Sequence, residues 1–101
     1  MKALSILSEL QFLESAKKAF GFPILNKVRT SFWIAGDTKT TPCQIETGNI
    51  QIEFENKDVV SISIVPRDFL EGKINVGVNF KIETYPTAIA IGTILEIQKI
   101  L

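Results

Sequence analysis

Few side chains in this sequence could do chemistry. There is no histidine among the 101 residues, so the commonest general base and the commonest metal ligand are both missing. Cys43 is the single cysteine. A thiol nucleophile needs a base beside it, and without histidine Cys43 reads as a small buried side chain. Asp37, Asp58 and Asp68 stand next to turns, where aspartate bonds the local backbone. Glu53 and Glu55 share one strand face and read as solvated. Gly36-Asp37-Thr38-Lys39-Thr40 has the outline of a phosphate loop but lacks the second glycine and the following helix. The residues therefore predict a protein that is not an enzyme, with no catalytic residue, metal, cofactor or nucleotide site.

Charge is the remaining lead. Eleven basic residues balance eleven acidic ones, but unevenly. Residues 1–40 hold six basic and three acidic residues, a local +3 that the remainder cancels. Between Glu14 and Asp37 lie Lys17, Lys18, Lys27 and Arg29 and no acid. One reading is a solvated loop; the other is a set of phosphate contacts to RNA, with Trp33 or Phe22 as stacking surfaces. The candidate binding residues are Lys17, Lys18, Lys27, Arg29 and Trp33. Zero net charge weighs against broad, nonspecific affinity for nucleic acid.

These side chains must be carried by strands. Leu4, Ile6, Leu10 and Phe12 hold alternate positions of an opening segment, 3–13, although its Leu, Glu, Gln and Ala also suit a helix. Lys2 and the apolar run mimic a signal peptide, but Glu9 inside the run speaks against secretion. A single cysteine points to a reducing, cytoplasmic setting. No apolar run reaches the length of a membrane helix. Val28, Thr30, Phe32 and Ile34 alternate with Arg29, Ser31 and Trp33 in a second strand. Residues 36–42 are a loop by composition, 43–46 a short strand, and Thr47-Gly48-Asn49 a turn. Ile50, Ile52 and Phe54 alternate next, Asn56-Lys57-Asp58 turns the chain, and Val60, Ile62 and Ile64 alternate up to Pro66. The last unit, 77–97, is a hairpin. Val78, Phe80 and Ile82 alternate, Tyr85-Pro86-Thr87 turns, and a second apolar run contains Gly92, a predicted bend or bulge with a backbone conformation or close contact that a Cβ would obstruct. Short strands at close spacing predict one all-β domain over residues 1–101, an antiparallel closed barrel of about six strands. Phe32, Ile52, Ile62, Phe80 and Ile82 should be core.

The hairpin carries a resemblance. Gly77-x-x-Phe80-x-Ile82, then Gly92 twelve residues after the phenylalanine, then Ile94 and Ile97, resembles the closing hairpin of the C-terminal β-barrel, the third domain, of elongation factor Tu. Residues 6–13 match that domain's opening strand, and Lys17-Lys18 fall near an arginine in its first loop. Arg29-Thr30-Ser31-Phe32 keeps an Arg-x-x-Phe spacing, and Asp58-Val59 resembles the start of the strand before the hairpin. The family's Gly-Gly and Thr-Pro are absent around Lys17. Thr84-Tyr85-Pro86-Thr87 stands where the family has a basic turn. The resemblance implies a six-stranded antiparallel closed β-barrel. It also implies a non-catalytic binding role, since in that family the domain packs against protein and helps hold the aminoacyl-tRNA stem. The expectation is a macromolecular partner, protein in preference to RNA, with tRNA-like binding through residues 17–29 as the alternative.

Overall fold

Side chains that are apolar at every second position need a shared interior, and six strands supply one by closing on themselves. The computed structural model describes residues 4–14, 28–46, 57–83 and 88–100. The strands are β1 (Leu4–Phe12), β2 (Val28–Ile34), β3 (Thr41–Glu46), β4 (Lys57–Ile64), β5 (Asn79–Ile82) and β6 (Ala90–Ile100). They form a closed barrel in the order β1-β4-β3-β2-β5-β6, with every pairing antiparallel. The opening segment is a strand, not a helix. Its burial alternates strictly from Leu4 to Phe12, and period-two burial wins over the helix propensity of its Leu, Glu and Gln.

Two boundaries differ from expectation. Lys57 and Asp58 belong to β4 and pair with Gln11 and Leu10, so the strand starts inside the anticipated turn. Thr41 and Pro42 open β3 instead of ending the loop. Pro42 pairs with Ser31 and its carbonyl accepts from Val65 N at 3.0 Å; its missing N–H is tolerable near a strand start. The strand expected over 50–55, with Ile52 as core, lies outside the described residues. So do the Thr47-Gly48-Asn49 and Tyr85-Pro86-Thr87 turns.

Phe32, Ile62, Phe80 and Ile82 are at most 1% exposed, and with Ile6, Leu10, Phe12, Ile45, Ile64 and Ile94 they fill the barrel. Ser8 interrupts this apolar lining. It is fully buried between Val60 of β4 and Ile94 of β6, and its Oγ has no hydrogen-bond partner. Thr41, the other buried hydroxyl, donates to Val65 O at 2.6 Å. An orphaned hydroxyl costs about 1–3 kcal/mol of desolvation. Ser8→Ala should therefore leave stability unchanged or raise it by about 1 kcal/mol, read from urea midpoints. A clear loss would show that the hydroxyl is bonded after all.

The pairing of β1 with β6 slips twice, between Ser5 and Ile6 and between Leu7 and Ser8. Gln98 and Leu95 of β6 are the unopposed residues. Each bulge moves the inward face by one residue, so Ala90, Gly92 and Ile94 face in before Leu95 and Ile97 faces in after it. Gly92 itself is regularly paired, with Leu10 and Phe80; the bulges fall three and six residues beyond it. The Gln98 amide oxygen, turned outward, accepts from Ser61 Oγ at 2.7 Å and Ser5 Oγ at 3.3 Å.

Two connections join strands that stand three places apart in the ring. β4 reaches β5 across one end of the barrel through residues 65–78. At the opposite end β1 stops and β2 begins on facing sides of the ring, where β3 also stops and β4 begins.

Candidate docking surface

The 65–78 connection builds an apolar hollow on the described surface. Pro66 follows β4 and cannot extend its ladder. A single 3₁₀ turn, Asp68–Leu70, follows, with Leu70 N donating to Arg67 O at 2.9 Å and Glu71 N to Asp68 O at 3.1 Å. The turn drives Leu70, 4% exposed, into the core, and Phe69, Ile74 and Val78 pack against it. Gly72 (φ +75°) and Gly77 (φ +89°) take the left-handed conformations that bring the chain back, which side chains other than glycine resist. Asn75 Nδ2 donates to Gly72 O at 3.0 Å. Gly77 N donates to Ile94 O at 2.8 Å and Ile94 N to Val78 O at 3.0 Å, so the connection is fastened to β6.

Between the connection, β1 and β6 lies a half-open groove of about 330 Å³ lined by Leu4, Pro66, Leu70, Ile74 and Ile97, with Arg67 and Glu71 on its rim. Val76 and Leu95, each one residue from the Gly77–Ile94 bond, are 67% and 41% exposed. The chain thus carries a groove and two apolar projections on adjoining stretches of the same two segments. Clustered apolar exposure is a feature that interaction surfaces in general share.

Two other hollows are more polar. One, of about 350 Å³ on the outer wall, is lined by Glu9, Gln11, Lys57, Asn79, Lys81, Ile91 and Thr93 over Gly92. Lys57 and Glu9 face each other there at 3.9 Å, both well exposed, and such a pair is worth little. In the other, Lys73 Nζ donates to Asp37 Oδ2 at 2.8 Å and Lys39 stands 5.9 Å from the Phe69 ring centroid.

The residues anticipated as a site are placed as follows. Lys17, Lys18 and Lys27 lie outside the described residues. Arg29, Ser31 and Trp33 share the outer face of β2, as their spacing required. Arg29 is exposed, and its Nε donates to Gln44 Oε1 at 3.2 Å. Gln44 Nε2 donates in turn to Glu46 Oε1 at 3.0 Å, so the guanidinium is held at the head of a chain ending in a carboxylate. Trp33, paired with Lys81, is only 2% exposed; no ring face is open for a base to stack on.

One group of residues had no signal in the sequence. Glu83 closes β5 at φ +92°, the only non-glycine residue with positive φ among the described residues. Its N–H donates to Ser31 O at 2.8 Å, and its Oε1 accepts from Thr30 Oγ1 at 3.0 Å. Cys43, opposite Thr30 in the ladder, is buried. Burial, and secondly the Glu83 charge, push its thiol up from an ordinary 9.0 to about 12. A thiol held neutral is a poor nucleophile. The folded protein should therefore resist alkylation at neutral pH and react only on unfolding, as iodoacetamide labelling across a urea series would show. The raised folded value also means that this contribution to stability is intact below pH 9 and is lost as pH climbs toward 12, because the unfolded chain gains the thiolate first.

No protein-family model matches the chain, and no curated protein matches it. Among the described residues no three acidic, cysteine or histidine side chains group to hold a metal ion, and no helix is long and apolar enough to cross a membrane.

Proposed function

We propose that the chain is a non-catalytic binding module that resembles the third domain of elongation factor Tu and docks a protein partner. The observation that carries this reading is the apolar groove of Leu4, Pro66, Leu70, Ile74 and Ile97 with Val76 and Leu95 beside it. Burying such a surface releases water at about 25 cal/mol per Å², and the hydrogen-bonded 65–78 connection is already ordered, which lowers the entropic cost of association. The ring of six antiparallel strands and the Gly77–Ile97 hairpin support the likeness to the translation-factor barrel.

The test is affinity capture from the source cell with the wild-type chain and an Ile74→Glu variant. A protein partner should be enriched by the wild type and lost by about tenfold with the added charge, the usual scale for a buried contact removed. Equal capture by both, or none by either, overturns the reading. A second reading, RNA binding through residues 17–29, is favoured by the exposure of Arg29 near the end where β2 begins. Binding of tRNA that falls steeply between two salt concentrations and disappears when Lys17, Lys18, Lys27 and Arg29 become alanine would establish it instead.

A further inference from the structure

We draw no further inference here: the strongest candidate, the outer wall of β4, β1, β6 and β5, where exposed Val59 and Ile91 share a face with Glu9, Lys57 and Lys81, presents charges of both signs, and nothing in the structure shows what covers it.

Discussion

Gly92→Val is expected to destabilise the barrel by about 3 kcal/mol or more, lowering the melting temperature by roughly 15 °C for a domain of this size. Gly92 faces inward between Ala90 and Ile94, and its backbone conformation is one that any residue can adopt. The cost comes from space. A Cβ built there falls on the edge of the Phe80 ring at Cζ, 2.9 Å from Phe80 Cε1 and 2.7 Å from the Glu9 carbonyl oxygen. A ring can tilt; the carbonyl cannot, since it belongs to the strand paired beside Gly92. Thermal unfolding of Gly92→Ala and Gly92→Val measures the effect, with valine the worse. A valine variant that melts within a few degrees of wild type would show that β1 and β6 separate more easily than their register implies.

Phe80→Ala should cost about 3–5 kcal/mol, the range for a fully buried phenylalanine. That is a large part of the total for a small domain. Phe80 is 1% exposed and lies against Phe32 with ring centroids 4.8 Å apart at 31°. It also covers the position where Gly92 has no side chain. Truncation leaves a cavity under β6 and strips Phe32 of its neighbour. The two sites should couple. In a Phe80→Leu background, the penalty of Gly92→Ala should shrink by about 1 kcal/mol, because half the obstruction is gone. A penalty that does not change would assign the obstruction to the Glu9 carbonyl alone. Urea denaturation of the four proteins in the cycle decides between these.

The coupling of Gly92 to Phe80 shows where local pattern stops being informative. That Phe80 faces inward is legible from its alternation with Asn79 and Lys81, and a glycine in a β-rich run signals a close approach. The approach was legible; its partner was not. Nor was the separation of roles along β6, where the bulges fall at Leu95 and Gln98 and Gly92 stays in register. A bulge is a property of two strands pairing out of step, and β1 ends at Phe12 while β6 begins only at Ala90. The apolar groove follows the same rule. The eight residues that line it come from β1, the 65–78 connection and β6. Individually they read as strand or loop residues, and only the crossing from β4 to β5 brings them together.

Trp33 and Glu83 mark the same boundary from the other side. Alternation places Trp33 on the outer face of β2, correctly, and an outer face ordinarily meets solvent; its burial depends on what lies over the barrel there. Glu83 has nothing in its neighbours to announce a left-handed conformation, which the bonds to Ser31 and Thr30 impose from an adjacent strand. By itself the sequence determined the all-β class, most of the strands, the inward residues and the burial of Cys43. Each follows from a period of two or from side-chain character, both local to the chain. Tertiary structure alone decided the ring order, the bulges, the apolar groove and the strained Glu83, because these arise from contacts between segments distant in sequence, whose free energy no local stretch contains.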